Sequence, residues 1–174
     1  MVQSTGTLEI SIAESPKDVE AVRQLSRDFF DWLITEFPEQ RDKLRTYFDP
    51  RNWEKTLNAL PSIHARPQGA MLLAKHCGLP VGCVMYHEMS PDVAEVKRLF
   101  VSTSARGKGI ASHLLTALIE SARADGYKEL KLDTRTFLSA AEQLYRKHGF
   151  VDSDHKINLP EESLEVVVHL RRAL

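Results

Sequence analysis

Much that would settle a protein's class at a glance is scarce in this chain. Its 174 residues contain only two cysteines, Cys77 and Cys83. Two are too few for a zinc tetrad, and without a secretory context both are expected as reduced structural thiols. Charge of one sign is also missing, because 23 Lys and Arg face 24 Asp and Glu for a formal charge of −1. That balance lacks the field of a general nucleic-acid or anionic-membrane binder, so neither partner is expected. No apolar run approaches bilayer length, and Met1-Val2-Gln3-Ser4-Thr5-Gly6-Thr7 lacks the basic and apolar regions of a secretory signal. A cytoplasmic protein is the expectation. The histidines show no His-x-x-x-His spacing, so no metal is expected. Repeats, low-complexity tracts and Ser/Gly linkers are absent too.

What is present is an ordinary globular make-up, 43% hydrophobic and 27% charged. A chain of this size buries roughly 70% of its unfolded surface, enough for one core. A single domain over residues 1–174 is expected, as a monomer or homodimer. The eight glycines and eight prolines fall between periodic segments.

Leu8 to Ile12 alternates like a strand, and Ser15-Pro16-Lys17-Asp18 supplies an N-cap, a first-turn proline and an acidic capping partner. Val19, Val22, Leu25, Phe29 and Leu33 then keep a helical period until Pro38. Residues 39–68 read as a helical excursion, with patches at Arg41 to Tyr47 and Trp53 to Leu60. Ala70 to His76, Val81 to His87 and Val93 to Val101 form an expected antiparallel meander. Gly109 to Ala124 predicts a helix, Tyr127 to Asp133 a strand, and Ser139 to His148 a helix with Ser139 and Glu142 as capping box and Gly149 as stop. Strands around Phe150 to Ile157 and Leu164 to Leu170 close the chain. The order predicts an α+β (mixed α/β) fold: a central mixed sheet, antiparallel at its N-terminal side, leading into one parallel crossover and flanked by helices.

The most informative stretch is Arg106-Gly107-Lys108-Gly109-Ile110-Ala111-Ser112, between a strand and an amphipathic helix. Glycines let backbone N–H groups approach an anion, and a helix start adds unpaired donors and partial positive charge. A phosphate site and a simple glycine cap fit these residues about equally. The Walker pattern fails, since Gly109 rather than Ser or Thr follows Lys108. The dinucleotide fingerprint fits only in part: Gly107 and Gly109 are spaced correctly, but Ser112 holds the third glycine position.

Arg106-x-x-Gly109-x-Ala111 resembles the Arg/Gln-x-x-Gly-x-Gly/Ala signature of the GNAT N-acetyltransferases. Ala141-x-x-Leu144-Tyr145-x-x-x-Gly149-Phe150 resembles that family's later helix motif. The resemblance covers Leu72 to about Val151, while residues 41–68 lie outside it. It implies acetyl-CoA as co-substrate, with its pyrophosphate on the backbone amides of Arg106, Gly107, Lys108, Gly109, Ile110 and Ala111, and Ser112 as a further hydroxyl donor. It also implies that the glycine-loop strand splays from the next parallel strand, and that pantetheine meets the main chain of Leu99, Phe100 and Val101. The implied chemistry is direct attack of a neutral amine in a ternary complex. An alkyl amine with a pKa of about 10.4 must first lose a proton, and the departing thiolate benefits from gaining one. Tyr145 is the implied acid. Glu95 is a candidate base, with a strand carboxylate paired to Lys97 as the alternative, and with His87, Glu88 and Asp92 in reserve.

Acceptor choice in the family rests on the first helices and the closing loops. Here Phe30, Trp32, Phe37, Tyr47, Phe48 and Trp53 stand beside Arg41, Lys43, Arg45 and Arg51. Such a pocket suits a small amine that also bears a carboxylate, although aromatic stripes are more often core. Thr134, Arg135 and Asn158 are further candidates. The expectation is a small-molecule N-acetyltransferase. Its alternatives are a non-catalytic acyl-CoA-binding or sensing module and a protein N-acetyltransferase.

Overall fold

A computed structural model describes residues 6–154 and 166–174. After β1 (Leu8–Ile12), Ser15 begins the first helix as expected, its Oγ accepting the Asp18 N–H at 3.1 Å with Pro16 at the first helical position. That helix, α1 (Pro16–Glu36), buries Val22, Leu25 and Leu33 and stops before Pro38. The excursion contains α2 (Arg41–Tyr47) and α3 (Pro50–Ile63), the latter capped by Asp49 and started by Pro50.

The meander follows as β2 (Ala70–His76), β3 (Leu79–Ser90) and β4 (Val93–Val101). A two-residue turn, Cys77-Gly78, joins β2 to β3 with φ of 52° and 76°. Both residues are left-handed, as the twist-matching hairpin turn requires. Both cysteines are free thiols as expected, Cys77 exposed in this turn and Cys83 buried in β3. Then come α4 (Ile110–Ala124), β5 (Glu129–Arg135), α5 (Ser139–Lys147), β6 (Val151–Asp152) and β7 (Val167–Ala173). The sheet runs β1-β2-β3-β4-β5-β7-β6. Only the β4–β5 pair is parallel, which is the expected mixed sheet with a single crossover.

Strand alternation separates two cores. Leu72, Val84, Tyr86, Ala94 and Val96 face α4, where Leu114, Leu115 and Leu118 are fully buried. Met71, Leu73, Cys83 and Met85 face α1 and α3, against Val22, Leu25, Leu57 and Leu60. On β4 the alternation is broken once. Met85 pairs with Lys97 but Cys83 pairs with Phe100, so three steps on β4 answer two on β3. Arg98, at φ 53°, absorbs the extra residue as a bulge. In unbroken alternation Phe100 would face α4 like Val96; the bulge turns it to the α1 side.

Several boundaries differ from expectation; β3 and α3 each extend beyond both expected ends. Tyr127 lies outside β5 because it closes α4: after Gly126, at φ 92°, its N–H returns to Ala122 O, and its hydroxyl donates to Gln68 O at 2.7 Å. The Ser139–Glu142 capping box does not form. Leu138 is the N-cap and makes no side-chain cap bond, Ser139 is already inside α5, and the Glu142 carboxylate takes Arg146 one turn on. The tight turn from Arg135 O to Leu138 N–H starts the helix one residue early. At the C-terminal side, the strands among the described residues are Val151–Asp152 and Val167–Ala173. Ile157 and Leu164, the expected inner ends of these strands, lie outside the described residues.

Candidate active site

The parallel pair β4–β5 separates soon after it begins. Pairing joins Val93 to Glu129, Ala94 to Leu130 and Glu95 to Lys131. Beyond that point β4 continues to Val101 bonded to β3, while β5 continues to Arg135 bonded to β7. The fork opens into a cavity of about 720 Å³, walled by β4 from Val96 to Val101, by β5 from Asp133 to Arg135, by the aromatic side of α1 and by α5. The Ser102 N–H donates to Val81 O, so alternation directs the main chain of Phe100 toward β3 and that of Leu99 and Val101 toward the fork. Among the three strand residues, then, Leu99 and Val101 offer backbone to the opening, and Phe100 contributes its ring, 5.5 Å from that of Phe29.

The glycine loop stands at the end of β4. Gly107 and Gly109 take φ of 78° and 74°, a region that glycine enters without penalty. A Cβ at Gly107 would meet nothing within 4 Å, so an incoming group has room there. The Arg106 N–H is spent on Thr103 O at 3.3 Å. Among the described residues the N–H groups of Gly107, Lys108 and Gly109 meet no backbone acceptor, and those of Ile110, Ala111 and Ser112 form the first turn of α4, whose carbonyl partners begin with His113 bonding Gly109 O. Six successive N–H groups at a helix start thus lack a backbone partner there, the kind of run that suits an anion.

Two side chains of the loop are turned away from such a ligand. Arg106 folds inward, its guanidinium 4.2 Å from the Trp32 ring centroid and its Nε donating to Val101 O at 3.0 Å. The Ser112 hydroxyl meets His148 Nε2 at 3.2 Å, and the His148 Nδ1 faces Leu144 O at 3.0 Å. A nitrogen facing a carbonyl carries the proton, so Nε2 is an acceptor, shared by the hydroxyls of Ser112 and, at 3.4 Å, Thr116. His148 also ends α5 as its C-cap. Lys108 is exposed and, unlike Arg106, has no ring or carbonyl contact among the described residues.

Tyr145, on the inner face of α5, is 7% exposed, lines the cavity and packs edge-on against Phe150. Among the described residues its hydroxyl has no hydrogen-bond partner, and burial pushes its pKa up, so the phenol is fully protonated at neutral pH. Glu95 sits at the crotch of the fork as the last paired residue, but it is not in the cavity wall. Its carboxylate is held between Lys97 Nζ, at 2.5 Å, and His87 Nε2, at 3.2 Å. Burial opposes its ionisation, yet the His87 hydrogen bond and the Lys97 charge more than offset that and hold its pKa at about 2. His87 does line the cavity, with its Nδ1 buried and unpartnered among the described residues. Beside it His64 is 3% exposed, donates from Nδ1 to Tyr86 O at 2.9 Å, and is kept neutral by burial, with its pKa lowered to about 4.

The acceptor side of the cavity departs from the sequence expectation in its cations. Trp32, Phe37, Tyr47 and Phe48 line it, whereas Phe30 and Trp53 pack into the core beneath α1 and α3. Arg41, Lys43, Arg45 and Arg51 do not reach it. Its positive groups come instead from the sheet and the glycine loop, as Lys97, Arg98, Arg106 and Arg135. Thr134 and Arg135 are in the wall as expected, and Asn158 lies outside the described residues. Arg98 is the residue that sequence missed, because a left-handed arginine in a strand carries no pattern.

A mixed sheet forked at its one parallel pair, with a glycine-loop helix start at the mouth, is the architecture of acetyltransferases. The N-acetyltransferase PaiA of Thermoplasma acidophilum, solved in complex with coenzyme A, superposes with a TM-score of 0.73 at 19% identity, covering 97% of this chain and 99% of that one. The chain belongs to the GNAT acetyltransferase family, whose sequence profile matches residues 25–150. Among curated relatives, an IAA acetyltransferase of Azospirillum brasilense is 38% identical over 89 residues, 51% of this chain and 58% of that protein. The uncharacterized N-acetyltransferase YjgM of Escherichia coli K12 is 27% identical over 158 residues, 89% of this chain and 87% of the relative. No helix among the described residues is long and apolar enough to cross a membrane.

Proposed function

We propose that the protein is an acetyl-CoA-dependent N-acetyltransferase that acetylates the amine of a small molecule in a ternary complex, with no metal. The observation that carries this is the run of unpaired N–H groups from Gly107 to Ser112 at the mouth of a forked sheet whose free edge leads past Leu99 and Val101 to Tyr145. The donors fit a pyrophosphate, and the open space over Gly107 lets it approach. Lys108 adds attraction, while Ile110 and Ala111 contribute through their amides. Arg106 acts as a wall of the cavity, and Ser112 acts through its backbone. Bound there, acetyl-CoA supplies an acetyl thioester, already activated for acyl transfer.

The residues of this chain supply the proton traffic. The amine nitrogen forms its bond to the acetyl carbon as the carbon–sulfur bond breaks. Tyr145 holds a proton at its phenol oxygen for the leaving sulfur, and burial keeps that proton in place until it is needed. On the amine side Glu95 serves through His87. By accepting a hydrogen bond from Nε2–H it leaves the lone pair on Nδ1, which a small shift of the ring would bring to the acceptor amine, and a carboxylate held at about 2 is suited to orienting a base rather than being one. A cytoplasmic setting accords with the two unpaired thiols.

Acetyl-CoA titration with thiol release followed across an amine panel tests the proposal. Saturable release with at least one small amine is expected. Tight cofactor binding without turnover would instead indicate a sensing module, turnover only on peptide N-termini a protein acetyltransferase, and no binding would exclude all three.

A further inference from the structure

The cavity contains a part-buried cation that nothing among the described residues neutralises. Arg98 rises from the bulge of β4 and lines the cavity wall. Its guanidinium lies 5.3 Å from the Trp53 ring centroid, one Nη approaches only Met85 Sδ, at 3.8 Å, and its Nε is buried with no hydrogen-bond partner. No carboxylate of the described residues pairs with it. The other cations of the cavity are provided for: Lys97 binds Glu95, Arg106 feels Glu36 and Arg135 feels Asp133. A guanidinium has five donors, and burying it beside sulfur and aromatic carbon is costly unless an acceptor arrives. The left-handed backbone that aims it adds a further cost, of the kind retained at ligand sites. Tyr47 lines the same cavity, its ring 4.8 Å from the Arg135 guanidinium.

We propose that Arg98, with Tyr47 beside it, is the seat for a carboxylate on the acceptor, so that the substrate is a small amine carrying both a carboxylate and an apolar body. The proposal rests on the acyltransferase reading of the cavity and adds its substrate class. A planar monoanion matches the guanidinium fork, whereas a phosphate dianion would bring two charges to one part-buried cation. Phe29, Trp32 and Phe48 supply the apolar wall for the rest of the molecule.

The test compares amines that differ only in the anion: L-phenylalanine with L-phenylalaninamide, L-leucine with L-leucinamide, and β-alanine with O-phosphoethanolamine. Both kcat/KM and calorimetric binding to the CoA-saturated protein are measured. The wild type should favour each acid over its amide by roughly 10- to 100-fold, the range of a charged hydrogen bond. In Arg98→Met the acid-to-amide ratio should collapse toward one while acetyl-CoA still binds, and Arg98→Lys should keep part of the preference. If Arg98→Met does not fold, the Lys variant and Tyr47→Phe, each expected to lower the ratio several-fold, carry the test. A wild type indifferent to the carboxylate, a ratio that survives loss of the guanidinium, or a preference for the phosphate overturns the assignment. Failure of all turnover with the binding preference intact would remove the catalytic proposal but leave the carboxylate seat standing.

Discussion

Strand β4 has two edges that are used in opposite ways. Along one it pairs with β3 from Val93 to Val101, with register shifts at the Arg98 bulge and near Ser90, while along the other it pairs with β5 for three residues and then lets go. On the paired side both faces of the sheet are covered, and Leu114, Leu115, Leu118, Leu73 and Met85 have no exposed surface. On the unpaired side the walls are aromatic rings, cations and strand backbone turned into a cavity. Open strand edges are a liability that proteins normally cover. One kept open inside the fold, beside a row of free N–H donors, is a binding surface whose affinity comes from main-chain groups. The paired half supplies the stability that allows the other half to stay open.

That contrast makes distinct demands on substitutions in the two regions. Leu115→Ala, in the closed half, should cost about 2–5 kcal/mol in urea unfolding, with acetyl-CoA affinity of the folded protein nearly unaltered. A comparable loss of affinity would show that the halves are not separable. Tyr145→Phe, in the open half, should reduce kcat by ~100-fold or more with little change in acetyl-CoA binding. Unaltered kcat would withdraw the acid role. Gly109→Val forces a branched residue into φ 74° and should raise the acetyl-CoA KM on the order of 10-fold through backbone strain, with a smaller effect on kcat at saturation.

Glu95 lies where the halves meet, and its variant has the smallest expected effect. Its pKa is held at about 2 against an ordinary 4.5, so its contribution is present above pH 4.5 and is lost as pH falls toward 2. Glu95→Gln should lower stability at pH 7 by about 1 kcal/mol, discounted for the part-exposed Lys97, and the gap from wild type should narrow as pH falls below 4.5 and close only below pH 2. A gap that is as large at pH 2 as at pH 7 would mean that packing, not charge, is the source.

Local signals carried much of the fold. Ser15-Pro16 began α1, Pro38 followed its end, and Gly107 and Gly109 marked the turn into α4, because each depends on one residue's own backbone preference. Gly126 was as local a signal, but Tyr127 was misassigned to β5: its N–H closes α4 on Ala122, and its hydroxyl reaches across the fold to Gln68 O. Ser139 failed as a cap since the preceding turn, not the capping residue, chose where α5 began.

The site divides along the same line. Tyr145 and the glycine loop stand in recognisable spacings and were named from sequence. Arg98 was invisible, since no composition or period announces a left-handed bulge. Arg106 looked like a loop charge for the cofactor, and only the packed structure turned it onto Trp32. Glu95 looked like a base, and only the proximity of His87 and Lys97 showed how strongly it is held as an anion.

By itself, then, the amino-acid sequence determined the order of elements, the start of α1 and the glycine turn into α4, all set by interactions within a few residues. The tertiary structure alone decided where β4 parts from β5, which charges are paired and which cation is left for a ligand. Those depend on side chains far apart in sequence competing for the same partners, and a chain read in one dimension does not contain that competition.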